Sequence, residues 1–563
     1  MKKWQLQSKT EVQDIDQLLK VLLTNRQIKA SQAADFFHPK PPQDWQLKEL
    51  GFDHAELIKI QKRLTIAKEK KEKVFIFGDY DSDGVCASAI LWEGLQFLGI
   101  NSTPFIPNRQ KHGYGLSVKA LQDLFANQGK PDLLITVDNG IVALPALQFL
   151  AKEKVETIVT DHHQKDQNKL PVLAVFHSTK ICGAAVAWFL IAQLCKATDK
   201  PKLASKKLND LLSLVAIATV TDLMELVGIN RSLVSHGLLA LQQTERPGLL
   251  ALYQLAGVNK EAINSYHLGY VIGPRINAMG RLAESMDALR LLCTKNPRQA
   301  TQLANLLQDT NLARQDLTKD LINQVETSLT AKDKQSKIII VEGDYHEGVI
   351  GLLAGQLSEK YAKPCVVFAV PKDVHDQDLA IKASARSLIG LNITEFLRQV
   401  EDQLLSVGGH PLAAGFSVSL KNLASVKKRL MTLAKQQLAD VALEAGINVD
   451  CPISTKLVTL DTAQALEAFE PHGNANPRPI FLLKNLQLRN LQTLGKDAQH
   501  VKMFFTDEKS GKEVVVLAWQ FDQRFTKPTL GQNFNILIRL TVNQWRGSTK
   551  LQTTLVDLKN NAL

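Results

Sequence analysis

Short apolar runs alternate with longer amphipathic stretches between residues 74 and 176. The apolar runs predict β-strands at 74–77, 103–106, 132–140, 156–163 and 172–176, and the stretches between them predict helices at 85–98, 117–126 and 144–152. This alternation predicts an α/β fold in which a parallel sheet carries helices on both faces. Ligands of such sheets bind beyond the carboxyl ends of the strands.

Three aspartates follow the first apolar run. Asp79, Asp81 and Asp83 alternate along the chain, and alternate residues of an extended segment point to one side. Three carboxylates at that spacing need a cation, and oxygen ligands favour Mg²⁺ or Mn²⁺. A solvated turn or a calcium loop would also place Asp beside Gly, but residues 85–90 are apolar and small and lack the glutamate of a calcium loop.

Two further strand ends bring polar groups to the same edge of the sheet. Asp138 follows one strand, and Asp161, His162 and His163 end the next. Any one of these residues could equally be a helix cap, but three converging strand ends favour a shared metal site. Asp222 follows an apolar helical pattern, and a buried aspartate there would need a partner such as the same cation.

A second strand–helix unit begins at residue 337, after a long polar helix at about 297–329 that we interpret as a connector. This unit contains Ser384, Arg386 and a glycine-rich segment with His410. Hydroxyls, an arginine and backbone amides fit a phosphate cradle, although a tight turn would look the same. No GxxxxGK[ST] motif occurs, so the sequence does not support ATP use.

Residues 275–282 carry Arg275 and Arg281 on either side of small residues. This pattern suits a phosphate-facing loop, with ordinary surface arginines as the alternative.

Short strands separated by turns fill the chain from about residue 449 and predict a five-stranded barrel of the OB type. Basic and aromatic residues alternate in it, and Lys502, Phe504, Trp519 and Trp545 are the candidate nucleic-acid contacts. This composition fits a groove for single strands. The alternative is a barrel that only packs on the rest of the protein.

Length and charge narrow the class of protein. A chain of 563 residues is too long for one core, and its net charge of +11 alongside an acidic centre indicates a track for a polyanion or a basic enzyme. The six cysteines form no CxxC pair, which argues against a zinc site. The start of the chain lacks the pattern of a signal peptide, and no apolar run reaches membrane length. We therefore expect a cytoplasmic protein that does not enter a membrane.

These motifs together resemble the DHH phosphoesterases, and within them the bacterial exonucleases specific for single strands. The resemblance spans nearly the whole chain and rests on GDYDSDG, VDNG, TDHH, VTDL, RINAMGR, YHEGVIG, KASARS, GGHPLAAGFSV and EPHGNANPRPIF. Three positions depart from the expected pattern: Ser82 replaces alanine, Tyr345 tryptophan and His472 phenylalanine. None of them is a predicted metal ligand.

The resemblance implies a processive 5′-to-3′ exonuclease that releases 5′-mononucleotides from single-stranded DNA in recombination and repair. It implies two Mn²⁺ or Mg²⁺ ions bound by Asp79, Asp81, Asp83, Asp138, His162 and Asp222. Asp161 and His163 would complete the catalytic site. Helicases and single-strand-binding proteins are candidate partners, and we expect a monomer because coiled-coil heptads are absent.

The resemblance also divides the chain into five segments. We expect an N-terminal helical segment (1–50), a DHH catalytic domain (51–295), a connecting helix (296–332), a DHH-associated α/β domain (333–445) and an OB-fold domain (446–563).

Two cations that share Asp138 would lower the pKa of a water and neutralise charge on the phosphate. His163 would either hydrogen-bond the scissile phosphate or protonate the leaving 3′ oxygen. We expect the phosphates near the 5′ end to be held by Arg109, Arg275, Arg281, Ser384, Arg386 and His410. The channel between the two α/β halves should be too narrow for a duplex.

Two other functions fit parts of the pattern. The first is a DHH-type phosphodiesterase that hydrolyses short oligonucleotides, cyclic dinucleotides or pyrophosphate, which would have no use for a basic C-terminal barrel. The second is a replication scaffold built on a decayed DHH domain, against which the intact set of acidic residues argues.

Overall fold

The computed structural model describes residues 3–560 apart from 114, 166–167, 439–445, 496–498, 526 and 546; the side chains of 110, 522, 523 and 545 also lie outside the description. The N-terminal segment holds strand β1 (Trp4–Leu6) and helices α1 (Ile15–Asn25) and α2 (Ala33–Phe37). The sequence predicted that this segment is helical. The segment also contains a strand, because β1 pairs in parallel with residues 447–449.

The first sheet consists of β2 (Val74–Phe77), β3 (Ser102–Phe105), β4 (Leu133–Val137), β5 (Glu156–Asp161) and β6 (Ala174–His177). Its strands are parallel in the order β3-β2-β4-β5-β6. The side chains of β2 alternate between two cores: Val74 and Ile76 face one, and Phe75 and Phe77 face the other. The predicted parallel sheet with helices on both faces is confirmed.

The helices of this domain are α3 (His54–Lys70), α4 (Ser82–Phe97), α5 (Arg109–His112), α6 (Val118–Gln128), α7 (Leu144–Lys152), α8 (Gly183–Cys195), α9 (Pro201–Thr221), α10 (Gly228–Gln242), α11 (Pro247–Ala256), α12 (Ser265–His267), α13 (Gly273–Leu282) and α14 (Ser285–Cys293). A π-helical segment, Leu268–Ile272, joins α12 to α13. Helices α4, α8 and α9 share the larger core, and α6 and α7 cover the opposite face.

Helix α15 (Pro297–Ser328) connects the two α/β domains, as the sequence predicted. It is capped by Asn296, whose side chain accepts hydrogen bonds from the backbone amides of Arg298 and Gln299. Its first half packs on the first domain through Ala300, Ala304 and Leu307, and Leu321 packs on the second.

The second domain contains α16 (Ala331–Gln335), β7 (Ile339–Gly343), α17 (Ile350–Tyr361), β8 (Cys365–Ala369), β9 (Ala380–Arg386), α18 (Ile393–Arg398), β10 (Ser406–His410), β11 (Ala413–Ser419) and α19 (Leu420–Gln437). Its sheet runs in the order β10-β11-β9-β8-β7. Only β7 and β8 pair in parallel within this sheet as described. The glycine-rich segment forms the β10–β11 hairpin.

The C-terminal domain contains β12 (Ile447–Val449), β13 (Cys451–Pro452), α20 (Leu460–Glu467), β14 (Phe481–Leu494), β15 (His500–Thr506), β16 (Glu513–Ala518), α21 (Phe521–Arg524), β17 (Asn533–Trp545) and β18 (Ser548–Asn560). Strand β14 bonds to both β15 and β17, and this second pairing closes the five strands β14 to β18 into a barrel. The predicted OB-type barrel is confirmed. Short 3-10 helices at 30–32, 42–44, 260–262, 401–403 and 455–457 complete the chain.

A buried arginine joins the first α/β domain to the N-terminal segment and to the C-terminal domain. Arg231 in α10 is 2% exposed and donates hydrogen bonds to the carbonyl of Phe36 and to four consecutive carbonyls from 468 to 471. Leu18 and Leu22 of α1 lie in the same core as the barrel strands. The N-terminal segment therefore packs as part of the C-terminal domain.

Within the described ranges, no helix has both the length and the apolar character needed to cross a bilayer.

Candidate metal centre and phosphate-binding cleft

The three aspartates after β2 converge through a strand-to-helix turn. Asp79 is buried and its Oδ1 accepts the amide of Tyr80 at 2.7 Å, while Asp81 caps α4 by accepting the amide of Gly84 at 3.0 Å. Asp83 already lies in the first turn of α4. The predicted alternation along an extended chain is therefore wrong, although the charge of Asp81 raises the pKa of Asp79 and the charge of Asp83 raises that of Asp81.

Asp83 is fixed by the start of α8. Its two carboxylate oxygens accept the amides of Gly183 at 2.6 Å and Ala184 at 2.7 Å. These are unpaired donors at a helix N-terminus, where a negative charge is stabilised. The helix comes this close because residue 183 has no side chain: a Cβ there would lie 2.6 Å from the Cβ of Asp138.

Three carboxylates surround the imidazole of His162. Its Nε2 lies 3.1 Å from Oδ1 of Asp138, 3.7 Å from Oδ2 of Asp83 and 3.8 Å from Oδ2 of Asp222. Asp138 follows β4 with a left-handed φ of +60°, and Asp222 ends α9. The sheet edge and one helix end thus place the predicted residues in one cluster.

The Asp138 carboxylate provides the test of whether a metal fits. Its Oδ1 is buried and makes no hydrogen bond within the described residues, even though His162 is close. An ionised oxygen left without a partner is costly. Ligand atoms of Asp138, His162 and His163 lie within 4.8 Å of one another, as do those of Asp83, His162 and Asp222. Carboxylate and imidazole donors at these separations fit Mn²⁺ or Mg²⁺.

Asp161 orients the histidine pair. Its Oδ1 lies 2.8 Å from Nδ1 of His163 and accepts the amides of His162 and His163, and its Oδ2 accepts the amide of Ile141. These bonds occupy the Asp161 carboxylate and leave Nε2 of His163 as the free ring nitrogen. Sequence reasoning grouped Asp161 with the catalytic residues, and in the structure it contacts the histidines and backbone amides.

Burial dominates the electrostatics of the cluster. Burial, reinforced by neighbouring carboxylates, raises the pKa of Asp79 to about 7 and that of Asp222 to about 9, and it also raises the pKa values of Asp81 and Asp138. The same burial lowers the pKa of His162 and so favours a neutral ring. So many carboxylates can all ionise here only when cations share the site.

His163 behaves differently. Burial alone would lower its pKa, but the hydrogen bond to Asp161 and the nearby negative charges raise it to about 9. Burial opposes ionisation of Asp161, yet its bonds to His163 and to backbone amides hold its pKa below the usual value. The pair is therefore an imidazolium and a carboxylate near neutral pH.

Arginines from both α/β domains lie beside the cluster. The guanidinium carbon of Arg109 is 5.3 Å from the ring centre of Tyr80, and Arg281 donates to the carbonyl of Gly348 in the second domain at 3.1 Å. Arg386 donates to Oγ of Ser384 at 3.1 Å. These four predicted phosphate contacts thus lie close together where the two α/β domains meet.

Burial, together with the charges of Arg109, Arg314 and Arg386, lowers the pKa of Arg281 to about 10. This mutual influence places the arginines in one positive cluster. The sequence analysis did not predict Arg314 as a phosphate contact, because it is one basic residue among many on the polar helix α15. The packing of α15 brings it near Arg281.

The other two predicted phosphate contacts make no described bond to the arginine cluster, although His410 lies at the same end of the sheet as Arg386, because it pairs with Ala413 and Ala413 pairs with Arg386. Arg275 lies in α13, which replaces the expected loop, and its Nε donates to Oε1 of Gln308 at 2.7 Å. His410 ends β10 with an exposed side chain. Among the described residues, no hydrogen bond or ion pair joins His410 to the arginine cluster.

Sequence reasoning also missed three residues that hold the aspartate loops. Oδ1 of Asn277 accepts the amide of Ser82 at 2.8 Å, and Oγ of Ser285 donates to the carbonyl of Tyr80 at 2.6 Å. Asn474 donates to the carbonyl of Leu223, next to Asp222, at 2.8 Å. The motif that contains Asn474 was noted, but nothing in the sequence ties it to Asp222.

The barrel residues predicted to contact nucleic acid lie on its outer surface where they are described. The ammonium of Lys502 is 5.1 Å from the ring centre of Phe504, and both side chains are half-buried on β15. Trp519 is 40% exposed and packs edge-on against His500. The side chain of Trp545 lies outside the described part of the structure.

Three family models match the chain in order. Residues 73–219 match the DHH family N-terminal domain, residues 334–439 the DHHA1 domain, and residues 449–557 the RecJ OB domain. The fold and the clustered acidic residues therefore define the chain as a DHH phosphoesterase.

Individual relatives narrow this class. The single-stranded-DNA-specific exonuclease RecJ of Thermus thermophilus is 31% identical over 500 residues, which cover 88% of this chain and 69% of the relative. A crystal structure of RecJ from the same organism in complex with Mn²⁺ superposes with a TM-score of 0.78 at 27% identity, covering 99% of this chain and 79% of the other. Its complex with Mg²⁺ gives a TM-score of 0.71 at 27% identity, with 99% and 78% covered. The chain belongs to the RecJ family.

Proposed function

We propose that this protein is a metal-dependent exonuclease that hydrolyses single-stranded DNA from its 5′ end and releases 5′-mononucleotides in recombination and repair. The observation that carries the proposal is the largely buried cluster of Asp83, Asp138, His162 and Asp222, in which Oδ1 of Asp138 makes no hydrogen bond to the described residues, beside a cluster of arginines. The names of its relatives, single-stranded-DNA-specific exonucleases, support the substrate.

We assign metal binding to Asp79, Asp81, Asp83, Asp138, His162 and Asp222. Two Mn²⁺ or Mg²⁺ ions would supply the Lewis acidity that activates a water and neutralises charge on the phosphate. We propose that Asp138 would be shared by the two ions, as the sequence analysis expected. Asp161 keeps the tautomer and orientation of His163. Because its Nδ1 faces Asp161, His163 would present Nε2 to a phosphate oxygen, to hydrogen-bond it, or to the leaving 3′ oxygen, to protonate it.

The proposed polarity rests on the arginine cluster. Arg109, Arg281 and Arg386 converge on one side of the metal cluster, where they and Ser384 would bind a terminal phosphate. A strand bound there by its 5′ phosphate presents its first internal phosphodiester to the metal cluster. Cleavage of that bond releases one mononucleotide and leaves a new 5′ end for the next cycle.

We further propose that the protein acts in the cytoplasm as a monomer, on strands supplied by helicases or covered by single-strand-binding proteins. The need for an unpaired strand supports these partners. We propose the five-segment division given above; within its first segment, residues 12–37 share the core of the OB-fold domain, whereas Leu50 lies in the core of the DHH domain.

Strands labelled at the 5′ or 3′ end, offered alone or as duplexes with and without Mn²⁺, test the proposal. We expect the 5′ label to appear at once as a mononucleotide and the 3′ label to shorten gradually, with duplex left intact. Early internal fragments, cleavage of duplex, or faster hydrolysis of a dinucleotide than of a long strand would contradict it. The last result would favour the short-oligonucleotide phosphodiesterase.

A further inference from the structure

Two exposed tyrosines stack on each other at the π-helical segment. Tyr266 and Tyr270 are 55% and 73% exposed, with ring centres 5.0 Å apart and ring planes inclined by 24°. Large aromatic side chains that face water in this way are typical of surfaces that bind a partner. A π-helical turn is also uncommon and often lies at a functional site.

The inner side of this segment packs beside the metal cluster. A Cβ on Gly273, which follows the π-helical turn, would lie 2.1 Å from Cγ2 of Thr221, and one on Gly269 would lie 3.4 Å from Val220. Thr221 directly precedes Asp222 in the chain. The tyrosines are therefore on the outer side of a segment whose inner side supports the loop that carries Asp222.

A cleft of about 640 Å³ separates this region from the barrel. Asn264 and His267 line one wall, and Arg478, Arg539 and Gln544 are on the other. Arg539 lies within electrostatic range of Tyr270. Glu261, Glu467 and Glu470 also line the cleft; Glu470 pairs with Arg478 at 3.3 Å, and among the described residues no hydrogen bond or ion pair involves the guanidinium of Arg539.

Stacked aromatic rings beside a cation match the chemistry of a nucleic-acid strand. Bases stack on tyrosine rings whatever their sequence, and an arginine binds the intervening phosphate. A folded protein partner would instead favour a larger continuous apolar patch than two rings rimmed by polar side chains.

We propose that Tyr266 and Tyr270, with Arg539 across the cleft, form a base-stacking platform that carries the single strand from the barrel toward the metal cluster. This inference rests on the proposed function, because it assumes that a single strand is the substrate. Among the described residues, no contact joins Tyr266 or Tyr270 to the arginines that would bind the 5′ phosphate, and we infer that the platform contacts nucleotides several positions from the end being cut.

Binding measured without divalent cations tests the platform. In EDTA, we expect the double substitution Tyr266→Leu with Tyr270→Leu to raise the Kd of a fluorescent 20-nucleotide strand about tenfold. The Kd of a 4-nucleotide strand, which is too short to extend from the metal cluster to the platform, should change less than twofold. The matched Tyr→Phe pair keeps both rings and should bind like the parent protein, and Arg539→Gln should weaken the long strand alone.

A strand with a block of abasic sites gives a readout specific to stacking. The block is placed at successive positions along the 20-mer. At one internal position it should weaken binding to the parent protein, and at the same position it should cause no further loss of binding to the leucine variant. Equal losses for both strand lengths, or an unchanged Kd for the 20-mer, would overturn the platform. If the parent protein fails to cut single strands with Mn²⁺, the proposed function fails instead, so the two failures are distinct.

Discussion

Gly183 lies at the N-terminus of α8, between two of the proposed metal ligands, and Gly183→Ala tests how tightly the cluster is built. The added Cβ would lie 2.6 Å from Cβ and 2.7 Å from Oδ1 of Asp138. Ordinary contacts begin near 3.4 Å, so either the helix or the carboxylate must move by nearly 1 Å. The same amide holds Asp83, so both ligands would shift together.

We expect Gly183→Ala to lower kcat about 100-fold, because a displacement of about 1 Å in a reacting site costs about that factor. Overpacking should also lower the free energy of unfolding by about 1–3 kcal/mol. The assay is release of 5′-mononucleotide from a labelled single strand at saturating Mn²⁺, with urea unfolding in parallel.

Gly355→Ala is the matched control, because Gly355 is also helical and its Cβ would lie 4.0 Å from the nearest side-chain atom. We expect the control to keep full activity and to be as stable as the parent protein or slightly more so. A Gly183→Ala protein with kcat within twofold of the parent would refute the view that α8 positions the metal ligands.

Three further predictions concern other parts of the molecule. Arg386→Ala should raise KM about tenfold for strands with a 5′ phosphate and less for strands with a 5′ hydroxyl; equal changes in steady-state assays would remove Arg386 from end recognition. Arg231→Met should lower the free energy of unfolding by at least about 3 kcal/mol in urea titrations, since it leaves buried carbonyls unpaired; a change under 1 kcal/mol would contradict this. Although burial opposes its ionisation, the charge of Arg246 holds the pKa of Glu93 at about 2, so Glu93 stabilises the fold above pH 4.5 and that contribution is lost as the pH falls toward 2. Urea titrations should show about 2 kcal/mol of this loss between pH 5 and 3 in the parent protein and not in Glu93→Gln; parallel curves would contradict it.

The strands and the convergence of their acidic ends were predictable because both follow from local rules. Buried parallel strands read as short apolar runs, and the topology of a parallel sheet brings the ends of β2, β4 and β5 to one edge. Asp222 could be suspected as a polar residue at the end of an apolar helix. Its distance from His162 could not be predicted, because the packing of α9 on α4 and α8 sets it.

Other features depend on contacts between distant parts of the chain. Strand β1 has three residues and pairs with residues more than 400 positions away, so its sequence carries no local signal. The arginines that flank small residues at 275–282 suggested a loop, yet this segment belongs to α13. Pro274 lies in the first turn of that helix, where the missing amide proton of proline costs no helical hydrogen bond. Arg314 and Asn474 reach the site only because α15 and the barrel dock where they do.

Metal binding by the acidic cluster is the claim on which the proposed function depends. Calorimetric titration of Mn²⁺ into the parent protein and into Asp138→Asn, which keeps the shape and removes the charge, tests it most directly. We predict that the parent protein binds two ions. The variant should bind at least one ion fewer, and its nuclease activity should be more than 100-fold lower. Equal stoichiometry and equal activity in the two proteins would contradict the assignment of this cluster as the metal centre.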